Sequence, residues 1–147
     1  MVAKLAEQEI EEILKDNYWG HLGCNDGFNT YVYPINFHYD GQHIICQSQH
    51  GAKVETMRQN NRVCFQVDEV ENHQYWRSVM VHGIFLELSD EGERYNAIKA
   101  FVDRRMQLKV SDHTVQGPGI TEKMIHESKT VIFRIVIDEK KGRYEQG

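Results

Sequence analysis

Cysteine is scarce in this chain. Cys24, Cys46 and Cys64 are the three among 147 residues; they lie far apart, and no CxxC occurs. The pattern argues against a disulfide framework and predicts reduced, mostly buried thiols. The eight histidines include no HExxH or HxH spacing, so a structural or catalytic zinc site is not expected. Positive charge is not in excess: the formal net charge is −5 and the pI about 5.9. With no RRM, zinc-finger or basic-helix pattern, nothing marks a nucleic-acid binder. Apolar runs are only a few residues long, so no membrane span is expected. The start, Met1-Val2-Ala3-Lys4-Leu5-Ala6-Glu7, turns acidic at once and lacks an apolar signal core, which predicts a cytoplasmic protein. Repeats, low-complexity segments and linkers are absent.

The chain is the size of one domain, residues 1–147, with enough apolar residues for one sizeable core. Leu5, Ile10, Ile13 and Leu14 among acids predict an amphipathic helix over 5–16. Trp19–Cys24 reads as a short strand, followed by an Asn25-Asp26-Gly27 turn. Thr30–Tyr39 and Gln42–Ser48 read as a hairpin about a type I′ turn at Asp40-Gly41. A short helix over 51–60 turns Val54 and Met57 inward. Arg62–Val70 and Tyr75–Leu88 are strands joined by a polar loop. Ser89 reads as the N-cap of a helix running to about Arg105, with Tyr95, Ile98 and Phe101 on one side. Residues 107–119 read as irregular, Thr121–Glu127 as a short helix, Thr130–Ile137 as the last strand and 140–145 as a polar tail. About six strands, mostly antiparallel, with helices between them predict a barrel-like α+β domain. Pro34 fits such a sheet only if its missing N–H faces a gap, an edge or a ligand.

The stretch from Tyr31 to Lys53 carries the chemistry. Its two strands deliver Ser48 and then Gly51-Ala52-Lys53 to the start of a helix. A hydroxyl, a lysine and free helix N–H groups at one point suit a phosphate. The neighbouring strand faces, rich in aromatic and β-branched residues, suit a flat heterocycle. A lysine in a helix's first turn opposes the helix dipole, and a bound anion would explain it.

Gly20-His21-Leu22, Tyr31-Val32-Tyr33-Pro34-Ile35-Asn36-Phe37, Ser48 through Lys53, Met57-Arg58-Gln59-Asn60, Val63-Cys64-Phe65-Gln66-Val67-Asp68, Trp76-Arg77-Ser78-Val79 with Gly83, and Gly142-Arg143-Tyr144-Glu145 occur in an ordered series. In order and spacing the series resembles the pyridoxamine 5′-phosphate oxidase-like, FMN-binding split-barrel superfamily, nearest its nitroimidazole-resistance-type flavoproteins. The resemblance implies a six-stranded antiparallel split β-barrel with peripheral helices, a homodimer, and FMN at the subunit interface. It implies that Tyr31, Val32, Tyr33 and Pro34 lie along the flavin and that Gln47, Ser48 and Lys53 hold the ribityl phosphate. Arg77 and Ser78 would sit near the phosphate and pyrimidine side, with Arg143 approaching from the partner chain. Nitroimidazole-resistance proteins tend to carry histidine where this chain has Gln47, so nitroimidazole reduction is not expected. The pyridoxamine-phosphate branch usually carries arginines near Tyr31 and at the position of Ala52; their absence argues against that substrate.

Several residues also have ordinary structural readings. Ser48 would serve as a turn residue, Arg58 as a solvated surface residue, and Trp76, Tyr31 and Tyr33 as core or interface aromatics. Arg77 and Ser78, adjacent on a strand, face opposite sides. Cys46 and Cys64 read as buried small hydrophobes, and Cys24, near a turn, as more exposed. The functional expectation is an FMN-dependent oxidoreductase passing hydride or electrons from a reductant, such as a nicotinamide, to a small organic substrate. The alternatives are a non-enzymatic flavin-binding protein and a haem- or deazaflavin-binding relative, with His50 or His126 as candidate haem ligands.

Overall fold

A computed structural model describes residues 1–110 and 130–147, with backbone alone for 105–110. In chain order the elements are β1 (Ala3–Lys4), α1 (Glu7–Asp16), β2 (Trp19–Asn25), β3 (Thr30–Tyr39), β4 (His43–Gln49), α2 (Ala52–Gln59), β5 (Arg62–Asn72), β6 (Tyr75–Glu87), α3 (Glu91–Val110) and β7 (Thr130–Gln146). The sheet order is β1-β7-β4-β3-β2-β5-β6, and β6 also pairs with β7. Six antiparallel strands therefore close into a ring, and β1 is added at the edge of β7. This is the α+β split barrel that the sequence predicts.

Alternation along the strands sets the core. Leu22, Ile35, Phe37, Cys46, Phe65, Val79, Val81 and Phe133 point inward. Phe37 and Phe65 meet edge to face at 4.9 Å. Ile10, Ile13 and Leu14 follow helical spacing, so α1 plugs one end of the barrel with its apolar face. Val54 and Met57 of α2 plug the other. Helix α3 packs outside, where Ala97, Ile98 and Val102 join Ile45, Leu88 and Ile132 in a second cluster. Among the described residues no helix is long and apolar enough to cross a membrane.

Several local expectations need correction. The 140–145 segment is strand, not tail, because β7 runs on along β6 as far as Gln146 and gains β1 on its other edge. Its polar character comes from lying at the rim with one face in water. The ladder between β6 and β7 shifts register at His82/Gly83. A Cβ on Gly83 would lie 2.8 Å from Ile135 Cγ2, so only glycine fits beside that shift. Helix α3 continues to Val110, through the first part of the stretch read as irregular. Asp90, not Ser89, caps it, accepting the Glu93 amide at 3.0 Å. Tyr95 is exposed, while Ala97 takes the inward position. The turn between β3 and β4 centres on Gly41-Gln42, one residue later than expected: Asp40 N donates to His43 O at 3.1 Å, and Gly41 has a positive φ, +94°. The remainder of the irregular stretch and the Thr121–Glu127 helix lie outside the described residues.

Candidate functional site

β3 and β4 pair only from Phe37–Tyr39 to Ile44–Cys46. Beyond that point they separate: Thr30–Asn36 continues with β2, while Gln47–Gln49 continues with β7. This opening is the split in the barrel. Pro34 sits on its bank, in register with His21 on one side and with no β4 residue on the other. Its missing N–H is tolerated there because that edge of β3 is open.

Helix α2 begins where β4 ends, and its N-cap Gly51 offers no side-chain cap to the first-turn amides. Lys53, in that first turn, reaches back across the opening. Its ammonium lies 3.5 Å from Ser48 Oγ and 5.2 Å from the centre of the Tyr33 ring. Tyr33 stacks on Tyr31, with centroids 6.2 Å apart and planes 18° apart. The Tyr31 hydroxyl donates to Asp26 Oδ2 at 3.0 Å. The site is therefore a line of contacts, from a hydroxyl and a cation through two aromatic rings to a carboxylate. Asn60, at the end of α2, donates to the Asn25 carbonyl at 3.0 Å and ties the helix to this end of β2.

The electrostatics of the site are lopsided. Among the described residues Lys53 has no carboxylate partner, although it is half-buried. The neighbouring arginines differ. Arg58 is not merely solvated but forks onto Glu87, with Nε 3.1 Å from Oε2, and also meets Glu55 at 3.0 Å. Arg62 pairs with Asp138 at 3.5 Å. Bonds from the Asn29 and Phe28 amides and the Tyr31 hydroxyl hold the Asp26 carboxyl below its ordinary range. Burial pushes the Tyr33 phenol up, so it stays protonated at neutral pH. Burial also raises the thiols of Cys24 and Cys46, which makes both poor nucleophiles. Cys24 is buried, not exposed as its place near a turn suggests, and Cys64 is only partly buried.

The structure thus brings together Tyr31, Tyr33, Ser48 and Lys53 and sets the other candidates apart. Gln47 adjoins Ser48 in sequence but lies on the opposite face of β4, beside Ile132 and the α3 cluster. Val32 and Pro34 occupy the outer face of β3, where Val32 is 66% exposed. Ser78 accepts from Gln66 Nε2 at 3.0 Å on the outer face of β6, directly across from the exposed Arg143. Arg77 faces the barrel's other end, bound to Glu69 through Nε at 3.1 Å and through Nη2. Asn17 holds that same Glu69 at 2.7 Å. Asn17 precedes β2 and Asn25 ends it, so the strand's length, about 20 Å, separates Arg77 from the Lys53 cluster within one chain. His50 is exposed in the turn after β4, and His126 lies outside the described residues. Asp26 joins this cluster through the Tyr31 hydroxyl, although its sequence setting reads only as a turn. Its signal is the Asp-Gly pair beside a tyrosine-bearing strand. Among the described residues no cluster of three or more His, Cys, Asp or Glu side chains could hold a metal ion.

A split six-stranded ring with a cationic, aromatic opening defines a class. Residues 6–144 match the family described as pyridoxamine 5′-phosphate oxidase, and the chain belongs to that family. A solved FAD-binding protein from Mesorhizobium loti is 31% identical, covers 99% of each chain and superposes with a TM-score of 0.77. A structure described as a candidate 5-nitroimidazole antibiotic resistance protein, from Bacteroides thetaiotaomicron, shares the fold at 21% identity. It covers 98% of this chain and 87% of its own, with a TM-score of 0.78. An uncharacterised protein of Rhizobium meliloti (strain 1021) is 25% identical over 147 residues, 97% of this chain and 94% of that protein.

Proposed function

We propose that this protein is a flavin-binding oxidoreductase of the cytoplasm that works as a homodimer. One observation carries the cofactor reading: Lys53 is a half-buried cation whose partners are a hydroxyl and a tyrosine face, at the uncapped start of a helix. Those groups fit a flavin's phosphate, whether in FMN or in the FMN half of a dinucleotide. Lys53 would supply the charge, Ser48 the hydroxyl and α2 the free amides. The open edge of β3 leaves backbone N–H and C=O groups for the ring's polar rim. The FAD-binding relative supports the same reading. When bound, a flavin supplies hydride or electron transfer, here from a nicotinamide to a small organic substrate. This chain's residues hold and orient the group and limit water at the split. With the Tyr33 phenol and both nearby thiols raised, none of these groups is poised as an acid or base.

The dimer reading rests on outward-facing residues of β2, β3, β6 and β7. Val32 and Pro34 turn outward on β3 beside Trp19 of β2, which is 57% exposed, and Ser78 and Arg143 turn outward where β6 meets β7. A second copy covering them would bury apolar surface and bring the second group of candidate residues to the site.

The test is titration of apo-protein with FMN and with riboflavin. Tighter binding of FMN, lost in Lys53→Ala, supports the phosphate role; equal affinities would refute it. Light scattering should give twice the 17.2 kDa chain mass, and a flavin-binding monomer would refute the dimer. Turnover with a nicotinamide donor separates an enzyme from a flavin carrier.

A further inference from the structure

Beyond Tyr31 the line of contacts continues to a residue that fold stability does not explain. Phe28 is 94% exposed at the tip of the turn between β2 and β3. The turn is tightly fixed. Asp26 Oδ1 accepts the amides of Phe28 at 2.9 Å and Asn29 at 2.8 Å, Asn25 Oδ1 accepts that of Gly27 at 2.7 Å, and Gly27 has φ +102°. The turn between β3 and β4 is an internal control. There Asp40 Oδ1 accepts the amides of Gln42 at 2.8 Å and His43, and Gly41 takes the positive φ. The same device is built there with glutamine at the tip, so the geometry does not require an aromatic ring. A phenyl held in water gives up the burial that ordinarily stabilises it. Asp26 joins this turn to the site, because its other oxygen receives the Tyr31 hydroxyl.

We propose that Phe28, Tyr31 and Asp26 form a subsite for the adenine of a flavin dinucleotide, whose pyrophosphate lies at Lys53 and Ser48. This rests on the flavin reading above and adds which flavin the site prefers. Purines stack on aromatic side chains whatever their orientation. The exocyclic amine is a donor, and Asp26 Oδ2 retains acceptor capacity beside its bond from Tyr31. FMN has neither the base nor that amine, so only the dinucleotide uses these groups.

The experiment is fluorescence titration of the full-length apo-protein with FAD, FMN and riboflavin, in wild type, Phe28→Ala and Tyr31→Leu. Phe28 is exposed, so its truncation leaves the fold intact. Wild type should bind FAD about tenfold more tightly than FMN, the scale of one stacked base. Phe28→Ala should remove most of that preference and leave FMN affinity unchanged, whereas Tyr31→Leu, which also removes the ring stacked on Tyr33, should weaken FAD more than FMN. Equal affinities for FAD and FMN, or a Phe28→Ala loss common to both, would overturn the adenine subsite while leaving the flavin reading intact. Failure of all three ligands to bind would overturn both.

Discussion

At the α1 end of the barrel, Glu11 receives both Lys140 and Tyr39, with Tyr39 at 2.6 Å, and Glu69 receives both Arg77 and Asn17. At the α2 end, Lys53 faces a hydroxyl and an aromatic ring. One end closes the fold with matched charges; the other holds a charge that no carboxylate among the described residues matches. A half-buried ion without a counter-ion costs free energy, and a ligand anion is the natural recipient of that imbalance.

Substitutions can break this comparison in graded ways. The largest effect is expected at Phe65, which packs on Phe37 between the two ends. Phe65→Ala should cost about 3–5 kcal/mol of stability, and chemical denaturation would show it; a loss under 1 kcal/mol would mean that the two ends are stabilised independently. Next is Lys53→Ala, which should weaken FMN binding by roughly 1.5–3 kcal/mol, about 10- to 100-fold, with little change in thermal stability. Arg58→Ala, which breaks pairs with Glu55 and Glu87, should leave FMN affinity nearly unaltered. Calorimetric titration against both variants separates the two cations. Glu11→Gln should do the converse, lowering stability by about 1–2 kcal/mol without altering flavin affinity; a thermal melt alongside the titration checks both halves. The smallest effect is expected at Gln47. Because its side chain lies on the α3 side of β4, Gln47→Ala should shift flavin affinity by less than about twofold.

The paired end also sets a pH window. Burial pushes the Glu11 and Glu69 carboxyls up, but the bonds from Lys140, Tyr39, Arg77 and Asn17 outweigh it and leave both lowered. Their contribution is complete above the unfolded value of about 4.3 and is lost as pH falls through the lower folded values. Burial pulls Lys140 down, yet Glu11 and Tyr39 hold it raised, and Tyr39 itself is raised by burial and by Glu11. That contribution is complete below about pH 10 and is lost as pH rises through the folded values. Melting temperature against pH should therefore form a plateau with both shoulders, and Glu11→Gln should reduce both while leaving the Glu69 share of the acid one.

Much of this was legible in sequence because strand alternation, helical spacing and Asp-Gly turns are local signals. Ile13 and Leu14 in α1, Val54 and Met57 in α2, and the arrival of Ser48 and Lys53 at one place follow from them. The missed features depend on distant partners. Arg58 is paired by Glu87, 29 residues away, and Cys24 is buried by strands and a helix that no window around it contains. The polar 140–145 segment is strand because β6 and β1 flank it. Gln47 is a different case: alternation sets its side chain on the face of β4 opposite that of Ser48.

The long β7 has a consequence for how the chain is made. Residues 130–136 join β4 and residues 133–146 join β6, so it is the stave that closes the ring. During synthesis from the N-terminus, the edges of β4 and β6 stay without this partner until β7 emerges. Until then the nascent chain carries two open sheet edges, and open edges invite pairing with other chains. Ring closure, and the assembly of the split beside it, then waits for β7 and is governed by contacts between residues far apart in sequence, the kind that form slowly.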